Sequence, residues 1–342
     1  MRIDPTGGCA PPQMIEAKRH FTGDSVLSEI ACFRQLRREI IRSVNRPTVL
    51  LVLAVPLFAG GQQGSPQSAP GSTFAVKKLA IEVSRRGFPL PQTDILVITA
   101  PRSKPKELVG GLSPTWSPDG EKIAYCVRDG RGFGQIQLIN ADGSGHTELT
   151  KVKGGACPTD WSSDGEKIAF IGYGAKTPSI FVMGKSGENV TEIVAGYGAK
   201  WSPDGKRLVF CRSSEGRGKS DSIWVVNADG TGATKVTEDD SEVLEVAWFP
   251  DGKSIVFSSE REHKHRSALF RANLDGSGLE AIADDKQLSL FFPVPSPDGT
   301  QLVADAYARG SGEGNVVLVD LASHHTSVLA HGIHPSVLWE KR

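Results

Sequence analysis

Short apolar runs separated by Gly, Pro, Asp and Asn recur from about residue 75 to the C-terminus, which predicts β-strands joined by tight turns. Five of these runs share one pattern, in which a Pro-Asp-Gly or Ser-Asp-Gly turn follows an aromatic residue or a proline and precedes an apolar strand. They are WSPDGEKIAY from Trp116, WSSDGEKIAF from Trp161, WSPDGKRLVF from Trp201, WFPDGKSIVF from Trp248 and PSPDGTQLVA from Pro295. A tight turn between two apolar runs indicates a β-hairpin.

The spacing of these turns defines the repeat. From Asp119 to Asp298 the aligned turn aspartates have a mean period of (298 − 119)/4, or about 45 residues. About 24 residues after each such turn comes a second one, as in QLINADGSGHTELT from Gln137 and IWVVNADGTGATKVT from Ile223. Two hairpins make four strands per repeat, and a period near 45 residues is typical of a four-stranded propeller blade.

The two ends of the chain predict how the ring closes. KLAIEV from Lys78 and the segment from Asp94 supply the second to fourth strands of a further blade, but no first strand precedes them. His334 to Trp339 (HPSVLW) has the spacing of ACPTDW from Ala156, which is a first strand. We therefore predict an all-β, six-bladed propeller of four-stranded blades, closed by pairing of the C-terminal strand with the N-terminal blade, which also removes exposed edges.

The repeats resemble those of the TolB-type, WD40-like propeller family, whose mark is a W-S-P-D-G turn followed by an apolar strand and later an N-x-D-G-x-G turn. The resemblance covers residues 75–342 and implies a periplasmic, protein-binding propeller, with the Tol-Pal envelope system as precedent and a peptidoglycan-associated lipoprotein as a partner. Full TolB proteins carry an α/β domain before the propeller, and the short segment before residue 75 cannot supply it.

The N-terminal segment indicates export. Val49 to Ala59 is strongly apolar but shorter than the roughly 20 residues of a membrane-spanning helix, and arginines precede it while Ala59-Gly60-Gly61 follows it. A membrane-anchoring stub or a buried strand stays open as the alternative. We divide the chain into four segments. Residues 1–46 are an N-terminal extension, which a start codon assigned too far upstream would explain, and residues 47–61 are the signal-peptide region. Residues 62–74 are a flexible linker rich in Gly, Ser, Pro and Gln, and residues 75–342 form the propeller.

Composition narrows the function classes. Lys plus Arg and Asp plus Glu both number 39, so the net charge gives no global field that would favour a nucleic acid partner, and we expect a monomer.

The five cysteines show no Cys-x-x-Cys pair, and Cys126 and Cys211 lie in strand patterns, where we expect them to be small buried apolar residues. We expect no cofactor or metal, since His263-Lys264-His265 has no acidic partner at a defined spacing and a hairpin turn explains the Asn-x-Asp-Gly segments.

The loops between second and third strands carry the candidate binding residues, because variable loops on a repeated scaffold are the usual place for function. Basic residues outnumber acidic ones there, which favours an anionic patch on a partner protein or an anionic glycan. We also include His334, which could face the channel. The candidate basic rim is Arg85, Arg86, Arg128, Arg131, Arg212, Arg217, Lys219, Arg261, Lys264, Arg266, Arg309 and His334.

The repeated residues are expected to serve packing and turn formation, because the motif places them in every blade irrespective of any one site. They are Trp116, Asp119, Trp161, Asp164, Trp201, Asp204, Trp248, Asp251, Asp298 and Trp339.

Catalysis is not indicated by any linear motif. The chain has no G-x-S-x-G elbow and no room for a hydrolase domain, so we assign no catalytic residues. Ionisable side chains from several blades can nevertheless converge at a channel. A carbohydrate-active propeller similar to the oligogalacturonide lyases, or a glycan-binding one, therefore remains the alternative.

Overall fold

The computed structural model describes residues 74–85, 92–99, 103–129, 132–174, 177–213, 221–237, 243–263, 266–308, 311 and 313–341. Within these ranges the regular structure consists of β-strands. No helix long and apolar enough to cross a membrane occurs in the described part of the chain. The predicted extension, the signal-peptide region and almost all of the predicted linker lie outside it.

Twenty-four strands form six antiparallel sheets of four strands each. The strands of the first three blades are β1 (Phe74–Arg85), β2 (Gln92–Ile98), β3 (Lys106–Gly110), β4 (Leu112–Trp116), β5 (Lys122–Asp129), β6 (Gly132–Asn140), β7 (Thr147–Glu148), β8 (Ala156–Trp161), β9 (Lys167–Gly172), β10 (Ser179–Gly184) and β11 (Thr191–Ala195). Those of the last three blades, with the closing strand, are β12 (Tyr197–Trp201), β13 (Arg207–Ser213), β14 (Asp221–Asn227), β15 (Thr234–Lys235), β16 (Val243–Trp248), β17 (Ser254–Ser259), β18 (Ala268–Asn273), β19 (Glu280–Ala283), β20 (Leu288–Pro295), β21 (Gln301–Ala308), β22 (Gly314–Asp320), β23 (Thr326–His331) and β24 (Ile333–Lys341).

The ring is closed by the last strand. β24 pairs antiparallel with β1, with Phe74 opposite Lys341 and Val76 opposite Trp339, so the first blade has the order β24-β1-β2-β3. The inner strands β24, β4, β8, β12, β16 and β20 contact one another in that order around the channel. The predicted six-bladed propeller and its closure by the C-terminal strand are confirmed.

The tryptophan that ends an inner strand packs between blades. Trp116, Trp161, Trp201 and Trp248 are about one-twentieth exposed and lie within apolar clusters. Two of them also bond to the preceding inner strand, since Trp161 Nε1 donates to the carbonyl oxygen of Thr115 at 3.2 Å and Trp248 Nε1 to that of Lys200 at 3.1 Å. Trp339, at the end of β24, is half-buried.

The Ser-Pro-Asp-Gly turn is held by its own side chains. In the second blade, Ser117 Oγ donates to Asp119 Oδ1 at 2.5 Å and accepts from Lys122 N, while the same Asp119 oxygen accepts from Glu121 N. Gly120 has a φ of 72°, a left-handed conformation that glycine adopts without strain. The equivalent aspartates hydrogen-bond within the same turn in the other four blades that have it, so this residue serves turn formation.

The Asn-x-Asp-Gly turns are closed in the same way. Asp142 Oδ1 accepts hydrogen bonds from Ser144 N at 2.9 Å and from Ser144 Oγ at 2.7 Å, and Asn140 Nδ2 donates to Ser144 Oγ. Asp229 and Asp275 repeat the arrangement. Turn formation alone accounts for these polar residues.

A disulfide bond joins the second and third blades. It links Cys126 on β5 to Cys157 at the start of β8, with a Cα–Cα distance of 5.0 Å that lies within the range usual for disulfides. The prediction that Cys126 is a small apolar residue is therefore wrong, because a neighbouring blade brings a second thiol within bonding distance. Cys211 is a free, buried cysteine as predicted.

Candidate functional site

The two faces of the propeller differ in their connections. The turn face carries the Ser-Pro-Asp-Gly and Asn-x-Asp-Gly turns, which are built alike from blade to blade. The opposite face, here called the crossover face, carries the loops between second and third strands and the connections from one blade to the next. Every inner strand begins at the crossover face, so side chains near these strand starts surround one end of the channel.

Each inner strand carries one extra residue close to the crossover face. In the second blade Leu112 pairs with Cys126 and Thr115 with Ala124, so three steps along β4 match two along β5. The other five blades show the same one-residue bulge in the pairing of their inner strand. Such bulges leave a residue unpaired and re-aim nearby side chains. We call the ring formed by residues 112–115, 158–160, 197–200, 243–246, 291–294 and 333–336 the crossover mouth.

The backbone of the crossover mouth is strained at three non-glycine residues. Ser113, Phe292 and His334 have φ values of 51°, 50° and 52°, and Gly198 occupies an equivalent bulge with 63°. A non-glycine residue in this region costs on the order of 1 to 3 kcal/mol and persists only where the surroundings impose it. Strain of this kind is common at binding sites, which makes the crossover mouth the candidate site.

Three ionisable side chains meet at the crossover mouth, where β24 begins. The backbone N–H of His334 donates to Asp305 Oδ2 at 3.0 Å, and the imidazole Nδ1 of His334 lies 2.9 Å from Glu82 Oε1, within ion-pair distance. Glu82 Oε1 also accepts from Ser113 N in the next blade. The carboxylates of Glu82 and Asp305 thus bond to unpaired backbone N–H groups at two neighbouring bulges.

Burial makes this cluster electrostatically unusual. Asp305 is fully buried and Glu82 is 2 % exposed, and Asp305 Oδ1 has no hydrogen-bond partner among the described residues. Burial raises the pKa of Asp305 to about 7; the His334 charge opposes that rise and the Glu82 charge adds to it. Burial alone would lower the pKa of His334, but Glu82 and then Asp305 raise it to about 9. His334 is therefore a cation at neutral pH, held between two acids.

Two further residues line the mouth beside His334. The ring of Phe292 contacts the imidazole edge to face, with centroids 4.3 Å apart. Glu245, on the inner strand of the fifth blade, adds to the negative potential at His334.

A second buried polar group lies at the fourth blade. Asp221 accepts a hydrogen bond from Ser213 Oγ at 2.5 Å and one from the hydroxyl of Tyr197. Burial, with the nearby acids, raises the pKa of Tyr197 and that of the Cys211 thiol well above their usual values. Both groups therefore stay protonated and act as packing and hydrogen-bonding residues.

Of the candidate basic rim, the structure describes the side chains of four members. His334 lies at the crossover mouth. The Arg212 guanidinium lies over Trp224 at 4.5 Å, and Arg261 lies over Phe257 and Phe270 at 5.4 and 5.3 Å. Arg266 donates to Asp284 Oδ1 and to the carbonyl oxygen of Asp285. The remaining side chains of the rim lie outside the described set: Arg85, Arg86, Arg128, Arg131, Arg217, Lys219, Lys264 and Arg309.

Sequence reasoning missed Glu82 and Asp305. Asp305 stands seven residues after the turn aspartate of its blade, a position that is apolar or small in the other repeats: Cys126, Ile171, Cys211 and Ser258. All five residues at this position are fully buried. Glu82 holds the matching place in the first blade, since Glu82 and Asp305 each pair with the residue just before the bulge of the inner strand. The available signal was therefore a carboxylate at this buried position in two of the six blades.

The comparisons with known proteins agree with this architecture. The family model of the TolB β-propeller domain matches residues 135–337. The chain belongs to this family. No curated protein matches the sequence at a significant level.

Solved structures of two TolB proteins and of one enzyme share the fold at low sequence identity. The putative TolB of Agrobacterium tumefaciens is 19 % identical with a TM-score of 0.58, and the match covers 78 % of this chain and 99 % of that one. TolB of Acinetobacter baumannii is 17 % identical with a TM-score of 0.53, covering 75 % and 69 %. Hydrazine synthase of Kuenenia stuttgartiensis, at 15 % identity and a TM-score of 0.62, covers 78 % and 47 %. These likenesses concern the propeller fold.

Proposed function

We propose that this TolB-family protein is an exported, non-enzymatic propeller that binds another protein at its crossover mouth. The observation that carries the proposal is the ring of six bulges, because it places irregular, strained backbone and polar side chains at one end of an otherwise regular channel. The closed ring holds this surface rigid, and rigid scaffolds with variable loops suit recognition.

Export is supported by the disulfide. Cys126 and Cys157 are both buried, so their bond is a structural link between blades rather than an exposed redox pair. Structural disulfides form and persist in oxidising compartments such as the periplasm or the cell exterior. This agrees with the apolar run from Val49 to Ala59, which has the length and flanking residues of a signal peptide.

The partner we favour is an envelope protein with an acidic surface, of the peptidoglycan-associated lipoprotein type. Family membership supports the envelope setting, and the basic residues of the intra-blade loops favour an anionic patch on the partner. Surface charges of this kind mainly accelerate association, so binding should weaken as the salt concentration rises.

Affinity capture from the envelope fraction of the parent cell tests this proposal. The full chain should recover a peptidoglycan-associated lipoprotein, and the double variant Arg217→Glu, Arg261→Glu should recover much less. A matched turn-face variant, Lys206→Glu with Lys253→Glu, should recover as much as wild type, and melting curves check that all three proteins are folded. Equal loss in both variants, or recovery of no envelope protein, would refute a docking role for the crossover face.

The second candidate function is carbohydrate-active, and the meeting of Glu82, Asp305 and His334 at the channel favours it. Acidic and basic groups that converge from different strands can provide acid–base catalysis without a linear motif. An elimination on an acidic oligosaccharide would remove the proton beside a uronate carboxylate and break the bond to the leaving sugar. Incubation with oligogalacturonides should then give an unsaturated product with wild type and none with His334→Ala. No product from wild type excludes this candidate.

A further inference from the structure

Two loops of the crossover face bring potential metal ligands together away from the crossover mouth. Glu262 and His263 belong to the loop between β17 and β18, and Asp284 begins the connection from the fifth blade to the sixth. Their ligand atoms all lie within 4.8 Å of one another. In the sequence His263 has Glu262 beside it but no acidic residue at a defined metal-ligand spacing, and the fold supplies Asp284 from 21 residues further along the chain.

A backbone turn at His263 and one arginine at Asp284 position two of these three residues. His263 N donates to the carbonyl oxygen of Glu260 at 3.0 Å, which closes a turn from Glu260 to His263. Arg266 donates to Asp284 Oδ1 and to the carbonyl oxygen of Asp285, so one oxygen of the Asp284 carboxylate is engaged. The other oxygen, Oδ2, lies 2.9 Å from His263 Nε2.

This arrangement has the features of a three-ligand metal site. One imidazole nitrogen and two carboxylate oxygens suit zinc, which binds such ligands at about 2.0 to 2.2 Å and often keeps a further position for water. In carboxylates that bind a metal through one oxygen, the other oxygen commonly accepts a hydrogen bond, and that bond fixes the orientation of the carboxylate. With the imidazole neutral, Glu262, Asp284 and Arg266 together carry a net negative charge, which attracts a divalent cation.

We propose that Glu262, His263 and Asp284 bind one zinc ion on the crossover face, with Arg266 as the residue that positions Asp284. This zinc site does not depend on the proposed binding of a partner at the crossover mouth. His263 and Asp284 have side chains that are 35 % and 32 % exposed, so the ion is reachable from solvent and keeps open positions for water or for a ligand from a partner.

Calorimetric titration of the untagged full chain with zinc chloride at neutral pH tests the site. Wild type should bind one zinc ion, and both His263→Ala and Asp284→Asn should lower the affinity at least tenfold. Arg266→Gln should lower it about tenfold, within the range usual for residues that orient a ligand. His331→Ala removes another exposed histidine and should leave the affinity unchanged. Because protons compete for the ligands, binding should weaken in acid.

Three results would overturn the proposal. The first is no zinc binding by wild type, which would leave His263 and Asp284 as an ion pair. The second is wild-type affinity in Asp284→Asn, which would place any bound zinc elsewhere on the chain. The third is equal affinity for calcium or magnesium, because an imidazole ligand disfavours these ions relative to zinc.

Discussion

Replacing Asp305 by asparagine should change how the stability of the propeller depends on pH. Asp305 is fully buried, bonds to the backbone N–H of His334 at the start of the closing strand, and has a pKa raised from 3.8 to about 7. A group whose pKa is higher in the folded protein binds protons more tightly there. Its stabilising contribution is therefore complete below about pH 4 and is lost as the pH rises through about 7.

The size of the effect follows from proton linkage. With pKa values of 3.8 unfolded and about 7 folded, the Asp305 contribution falls by roughly 3 kcal/mol between about pH 5 and pH 8. His334 acts in the same direction, because its pKa is raised from 6.5 to about 9, so its contribution is complete below about 6.5 and is lost as the pH rises through about 9. The free energy of unfolding of wild type should thus decrease from mildly acidic to alkaline pH.

Asparagine has almost the same shape as aspartate, keeps an oxygen that accepts the hydrogen bond from His334 N, and cannot ionise. Asp305→Asn should lose roughly 3 kcal/mol of the pH dependence between about pH 5 and pH 8 and be at least as stable as wild type at the upper end. Urea denaturation at several pH values, followed by tryptophan fluorescence, measures this. Asp142→Asn is the control, since that turn aspartate titrates below this range. A wild-type stability that is flat or rises over the range, or an unchanged slope in Asp305→Asn, would refute the reasoning.

Three further predictions concern the architecture. Replacing Cys126 and Cys157 by serine should lower the free energy of unfolding by about 3 to 4 kcal/mol, given their sequence separation of 31 residues, and equal denaturation curves for wild type and variant would contradict a structural role. Trp201→Ala should cost about 3 to 5 kcal/mol because it empties a buried aromatic site, and an unchanged melting temperature would argue against that packing. Deleting residues 334–342 should open the ring and lower the melting temperature far more than trimming Lys341 and Arg342 does; a well-folded deletion variant would disprove closure by β24.

The fold could be predicted from the sequence because each blade repeats the same local chemistry. The turn at Asp119 is made by residues within five positions of it, so its sequence pattern and its structure coincide. The closing strand was predictable for the same reason, since HPSVLW has the spacing of other first strands. Local interactions of this kind leave a periodic trace in the sequence.

The candidate site could be predicted only in part, because its contacts join residues that are far apart in the sequence. His334 was recognisable as a residue near the channel, but its partners Glu82 and Asp305 lie 252 and 29 residues away in the sequence. The Cys126–Cys157 bond and the approach of Asp284 to His263 likewise depend on neighbouring blades or loops meeting in space. No linear spacing encodes such pairs.

The most direct test of the central claim is site-specific photo-cross-linking of the full chain in the parent cell. Lys151 is exposed on the connection between β7 and β8 on the crossover face, and Lys206 is exposed on the turn face. With the cross-linking amino acid at Lys151, we predict a discrete adduct with one envelope protein; with the same residue at Lys206, that adduct should be absent. Adducts of equal yield from both faces, an adduct from Lys206 alone, or none from either would contradict a propeller that binds its partner at the crossover mouth.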